Sequence, residues 1–205
     1  MLGAGMGEEI EKRRPGRPRS EAATSHDEIV NAVYELLHDT SVRDLTIEAI
    51  ARRAGVGKPT IYKWWPSKAA LVLDVFEERI VRKLTGPGTK SSEQTIRDQI
   101  QELIRVLNGF VGKVAADLIA EGQSDPDILR EYYDRYLSKR RAFTRGVIER
   151  AQSTGEFRSD ITPDVLIDMI YGPIYYRLLL RHQKLDKRFG DELLDHLMTY
   201  LKCPP

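Results

Sequence analysis

The stretch 46–65, TIEAIARRAGVGKPTIYKWW, restricts the fold more than any other part of this chain. Ile47, Ile50, Ala51 and Ala54 form one stripe at helical spacing, with Thr46 as a good N-cap, and Gly55 stops the run. Lys58 and Pro59 open a second short helix, because proline is tolerated in a first turn whose N–H groups have no helical partner. Two short helices joined by a glycine-containing turn of about three to four residues predict a helix-turn-helix. Val56 is placed to tuck under the turn, while Ile61 and Trp65, four apart, face Ile50 and Ala54. That leaves Lys58, Thr60, Tyr62, Lys63 and Trp64 on the other face, a set that suits a recognition helix better than a core helix.

Each outward residue has a chemistry that fits DNA. Recognition helices present their N-terminal residues to base edges. Lys58 can donate to guanine O6 and N7, Thr60 can hydrogen-bond or touch a thymine methyl, and Pro59 offers an apolar ring to the same methyl. Tyr62 and Trp64 carry ring-tip donors suited to phosphates, which set register without reading sequence, and Lys63 suits either task. Lys68 follows the cap Ser67 and so opposes a helix dipole; a phosphate held by that helix start would compensate, and Thr46 could hold another. The plain alternative for Lys68 is a solvated lysine.

Around this motif the chain reads as helical throughout, with no strand-like alternation of useful length and no internal repeat. A first helix starts at Ser25, where Ser25 and Glu28 suggest a capping box, and carries Ile29, Val33, Leu36 and Leu37 on one face, with His38 at its negative pole. A fourth helix follows Ser67 through Leu71, Val75 and Ile80 to the break at Gly86-Pro87-Gly88. Five more are expected over 91–112, 114–121, 126–153, 163–182 and 190–202, punctuated by Asp125-Pro126, Thr162-Pro163 and glycines 122, 155 and 190. The division expected is a flexible basic arm at 1–22, a helix-turn-helix domain at 23–68 and a helical effector-binding and dimerisation domain at 69–205.

Composition narrows the function classes. With 205 residues, 41% of them hydrophobic, the chain can bury a real core. The net charge of +1 says little, but its distribution does: Lys12 to Arg19 and Arg52 to Lys68 are basic islands either side of an acidic segment. No apolar run approaches the roughly 18 residues of a spanning helix, and the opening MLGAGMGEEIEKRR lacks a leader's apolar stretch, so a cytoplasmic protein is expected. The single cysteine, Cys203, cannot build a disulfide framework or a cysteine metal site. His26, His38, His182 and His196 are scattered, with no zincin spacing and no phosphate-cradling glycine loop, so neither an enzyme nor a metal or cofactor site is expected.

From Leu45 to Leu71 the sequence resembles the DNA-binding signature of the TetR/AcrR family, T-(I/L)-x-x-I-A-x-x-A-G-V-x-x-x-T-(I/L)-Y-x-(H/Y/W)-(F/W)-x-x-K-x-x-L. It fills that signature with Thr46, Ile47, Ile50, Ala51, Ala54, Gly55, Val56, Thr60, Ile61, Tyr62, Trp64, Trp65, Lys68 and Leu71; Trp64 stands where histidine or tyrosine is more usual. The resemblance implies an all-α fold with an N-terminal three-helix helix-turn-helix domain and a C-terminal bundle that forms a homodimer through its last two helices. It also implies base and phosphate contacts from Lys58, Pro59, Thr60, Tyr62, Lys63, Trp64 and Lys68. Upstream, Pro15-Gly16-Arg17-Pro18-Arg19 resembles an AT-hook core, with Arg17 and Arg19 suited to a narrow minor groove; the alternative is a merely solubilising tail.

The stretch ITPDVLIDMIYGPIYYRLLL, 161–180, resembles the penultimate helix of a large TetR subgroup. Its near-continuous apolar surface has to be covered on more than one side. Pro173, Tyr176, Leu180, Leu194, Leu197 and Leu201 are the expected dimer contacts, the same patch on each subunit. Gly172-Pro173 should bend the helix. A pocket is expected between the fifth, seventh and eighth helices at Phe110, Leu118, Tyr133, Phe143, Met169 and Tyr175, where an unknown, partly apolar small-molecule effector would shift the fourth helix and part the DNA heads. The function implied is a repressor released from a palindromic double-stranded DNA operator. The alternatives are an effector-independent dimeric DNA binder and an activator.

Overall fold

A computed structural model describes residues 21–81 and 91–202, with the side chains of 21, 22 and 79–81 left aside. Arg17 and Arg19 lie outside the described residues. Apart from an isolated bridge between Phe157 and Lys202, every regular element among the described residues is helical.

Three helices make the N-terminal head: α1 (Glu21–Asp39), α2 (Ile47–Ala54) and α3 (Lys58–Trp64). The chain is already helical at Glu21, so Ser25 sits inside α1 and the expected capping box does not form. Residues 21 and 22, assigned to the arm by composition, belong to this helix. Ile29, Val33, Leu37, Leu45, Ile50 and Ile61 are almost fully buried where α1 crosses α2 and α3. Burial of each such side chain contributes about 1.5–3 kcal/mol, which is how elements of seven and eight residues persist.

The helix α4 (Lys68–Val75) starts on the Ser67 side chain, which accepts from Ala70 N at 3.1 Å. It continues as a widened π-helical turn, Phe76–Val81, where the sequence suggests a uniform helix. Beyond it come α5 (Ser92–Leu107), α6 (Phe110–Gly122), α7 (Pro126–Tyr132), a second π turn (Tyr133–Leu137), α8 (Ser138–Ser153), α9 (Pro163–Leu180) and α10 (Lys187–Leu201). The single helix expected over 126–153 is therefore two helices fused through a π turn. The break expected near residue 113 falls instead at Asn108-Gly109. Gly112 explains the offset: a Cβ there would stand 1.8 Å from the Leu107 carbonyl oxygen, so only glycine lets α6 fold back so closely on α5.

Helix α5 is the spine of the C-terminal part. It packs on α6, α8 and α10, and buries Ile96, Ile100, Leu103, Ile104 and Leu107. Helix α9 runs on through Pro173, whose missing N–H leaves the Met169 carbonyl without its helical donor. It ends at Arg181 in the left-handed region, φ 50°. No described helix is long and apolar enough to cross a membrane.

Candidate nucleic-acid interface

The turn between α2 and α3 is built by the residues that predicted it. Thr46 caps α2 by accepting from Ala49 N at 3.1 Å, and Gly55, at φ 67°, closes it by donating to the Ala51 carbonyl. A left-handed residue is least costly as glycine. Ile61 is fully buried and Trp65 is 5% exposed. The Trp65 indole N–H donates to Asp74 at 2.9 Å, which ties the end of α3 to α4.

With that side fixed inward, the other side of α3 faces solvent. Lys58, Pro59 and Lys63 are exposed and Thr60 is half-buried. Tyr62 and Trp64 are 53% and 42% exposed, against a general tendency for rings this large to be buried. Trp64 rests edge-on against His26 of α1, ring centroids 5.1 Å apart, which gives its free edge a defined direction. Lys58 is ion-paired with Glu48 of α2. The pair holds the Glu48 carboxyl below its usual range and the Lys58 ammonium above its own. Binding a base through Lys58 requires that exposed pair to open or swivel.

Lys68 has an internal task. Its ammonium donates to the Val42 and Arg43 carbonyls at 2.8 and 2.9 Å, binding the α1–α2 loop to the start of α4. These carbonyls supply the compensation expected of a phosphate, so the charge at this helix start does not by itself require one. Lys113 of α6 does similar work, donating to the carbonyls of Leu37, His38 and Thr40. Asp117 accepts from Val42 N at 3.1 Å.

The six residues expected to line an effector pocket do not converge. Phe110 stacks on His38 of α1, centroids 4.0 Å apart and planes 4° from parallel, so it belongs to the seam between head and bundle. Leu118 is plain core, Phe143 is half-buried against the core, and Tyr133 is 47% exposed. Met169 lines an outer groove between α9 and α10. Only Tyr175 reaches the cavity between α8 and α9, of about 290 Å³, which Arg140 and Tyr171 also line. The inward series is Tyr132, Tyr136, Arg140 and Thr144, spaced four apart and so one residue out of phase with Tyr133. Tyr132 and Tyr136 pack on Phe76, at 5.8 and 5.3 Å between centroids, where α4 enters its π turn.

Two expected dimer contacts are also corrected. Leu194 and Leu201 are 0% and 1% exposed within one subunit, because that side of α10 packs on α5. Tyr176 and Leu180 stand out of α9, each 58% exposed, with Pro173 half-buried beside them. Leu197 lines the α9–α10 groove with Leu193 and Tyr200, which take the outward places assigned by sequence to Leu194 and Leu201.

Comparison with known proteins agrees with this geometry. Residues 29–75 match the model for bacterial regulatory proteins of the tetR family, and 86–197 match a tetracyclin repressor-like C-terminal domain. The HTH-type transcriptional regulator YdeS of Bacillus subtilis is 38% identical over 179 residues, which cover 87% of this chain and 89% of that one. A crystal structure of a TetR family transcription regulator is 33% identical with a TM-score of 0.70, over 88% of this chain and 99% of that one. Bacillus subtilis FadR, solved with stearoyl-CoA, shares the fold at 17% identity and a TM-score of 0.68, over 86% of this chain and 99% of that one.

Proposed function

The chain belongs to the TetR family of bacterial regulatory proteins, and on that footing we propose that it represses transcription from a palindromic operator until a small molecule releases it. The outer face of α3 carries this reading: two large aromatic rings and two lysines face solvent on a helix whose opposite side is locked by Ile61 and Trp65. Lys58, Pro59 and Thr60 are assigned to base edges, Tyr62, Lys63 and Trp64 to phosphates and groove walls. Thr46 and Lys68 act first as a cap and a staple, and touch phosphates with the donor capacity that remains to each.

The exposed apolar stripe of Tyr176 and Leu180, continued by Leu197, supports a homodimer through α9 and α10. Two copies of α3 then face half-sites at least one DNA turn apart. Release is supported by two links from the bundle to α4. One is Phe76 against Tyr132 and Tyr136; the other is Asp74, which accepts from both Trp65 and Arg135. An effector acts only if it binds the released arrangement more tightly. A soluble regulator with no catalytic role, acting in the cytoplasm, completes the proposal.

Binding to the DNA that flanks its own gene, followed by fluorescence anisotropy from low to high salt, tests it. Saturable binding to one inverted repeat, with affinity falling steeply as salt rises, is the expected result. Equal affinity for unrelated duplexes at every salt concentration would leave specific regulation without support. A reporter fused to that DNA fixes the sign: expression should rise when the gene is deleted.

A further inference from the structure

Behind the wall of the cavity between α8 and α9 lie buried hydroxyls that lack well-formed hydrogen bonds, and Arg140 reaches into the cavity beside them. Its volume, about 290 Å³, lies near the bottom of the range for small-molecule sites, ~300–1,000 Å³. The side chains of Leu137, Tyr171 and Tyr175 wall it, and on the solvent side Arg141 is already ion-paired with Asp168 at 2.6 Å. Burial pushes the phenols of Tyr132, Tyr136, Tyr171 and Tyr175 up, so all four are neutral donors near pH 7. Tyr171 shares a hydrogen bond with Thr144 at 2.8 Å. The hydroxyls of Tyr132 and Tyr175 are buried and close enough to act on each other, but neither completes a hydrogen bond of good geometry with a described residue. Buried hydroxyls are ordinarily paired, because an unmet one keeps the whole cost of leaving water.

Arg140 stands among these phenols. Its guanidinium lies over the Tyr136 ring, 5.4 Å from the centroid, and its charge acts on all four tyrosines. Among the described residues it makes no ion pair; Glu102, which feels its charge, is held by Arg105. A partly buried guanidinium whose hydrogen-bonding neighbours are neutral phenols, Tyr136 and Tyr171, and not a carboxylate, is half of a recognition site for an acceptor of negative charge. The charge count favours a monoanion. Arg141 and Arg145 together balance Asp164 and Asp168, so a dianion on Arg140 would bring one uncompensated negative charge beside Asp168.

We infer that this cavity binds a small organic carboxylate, whose oxygens accept from Arg140, and from Tyr175 once its covered hydroxyl is opened to the cavity, while its body lies against Leu137 and the Tyr171 ring. The inference rests on the reading of the chain as a ligand-responsive regulator, and adds the place and the chemistry of the ligand.

Thermal unfolding and calorimetric titration of the full-length protein test it, with benzoate, salicylate and phenylacetate as probes and benzamide and sulfate as controls. At least one carboxylate should bind saturably and raise the midpoint by about 5 °C at a hundredfold excess over Kd. Benzamide and sulfate should not. Arg140→Gln should weaken that carboxylate about tenfold or more. Tyr175→Phe should weaken it while raising the unliganded midpoint, because it removes an unmet hydroxyl; a merely structural tyrosine would lower that midpoint. The inference fails if no carboxylate binds, if benzamide binds as well as benzoate, or if both variants bind the carboxylate as the parent does. Operator binding measured with the same probe separates the two readings. A carboxylate that binds through Arg140 yet leaves DNA affinity unchanged keeps the site and removes the release mechanism.

Discussion

At α3 and its C-cap, Ile61 and Trp65 are buried while Tyr62 and Trp64 beside them are 53% and 42% exposed; in the bundle it is the polar ends of Tyr132 and Tyr175 that are buried, without a well-formed hydrogen bond. The head satisfies its interior with apolar packing and turns its hydrogen-bonding groups to solvent. The bundle keeps donors buried around a small cavity. Outward donors on a rigid short helix suit a large polyanion that cannot enter a protein, whereas inward donors suit a ligand small enough to be enclosed. The two proposed recognition surfaces thus have opposite geometry, and the end of α4 links them through the contacts of Asp74 and Phe76.

Substitution across α3 is the strongest way to break this contrast. Ile61→Ala should destabilise the protein by about 2–5 kcal/mol in urea denaturation, whereas Lys63→Ala should stay within about 0.5 kcal/mol. Equal losses from both would mean that α3 does not have one structural and one free face. The next effect concerns reading rather than folding. Lys58→Ala should lose about 1–3 kcal/mol of discrimination at one or two base pairs in competition binding, while Tyr62→Ala weakens every duplex alike. Uniform weakening by Lys58→Ala would move that lysine from base to phosphate. Thr46→Ala should cost about 1 kcal/mol through loss of the α2 cap, measured as a lower denaturation midpoint with unchanged slope. The smallest effect lies in the bundle, where Tyr175→Phe should stabilise the unliganded protein by up to about 1 kcal/mol; a loss of stability would show that its hydroxyl is already satisfied.

Legibility in the sequence divides along the same line. The head is readable because its signals are local: Thr46, Gly55 and Pro59 act within one turn of themselves, and Ile61 with Trp65 sets the face by spacing alone. The structural task of Lys68 is not legible, since the carbonyls it caps belong to Val42 and Arg43, 26 and 25 residues earlier. In the bundle the helices are legible but their rotations are not. Sequence favours Tyr133 over Tyr132, and Leu194 and Leu201 over Leu193 and Tyr200, because helices this apolar offer two adjacent stripes and only packing against neighbouring helices decides which turns inward. The π turns at 76–81 and 133–137 have no composition of their own and shift the phase of the helical residues beyond them.

The central claim is that the outer face of α3 is what meets DNA. Footprinting of the region flanking the gene, with the parent protein and with a Tyr62→Ala, Lys63→Ala double variant of matched unfolding midpoint, tests it most directly. The parent should protect both arms of an inverted repeat, and the double variant should protect neither at the same concentration. Protection of the same bases by the double variant, at the same affinity, would show that DNA is held by another surface.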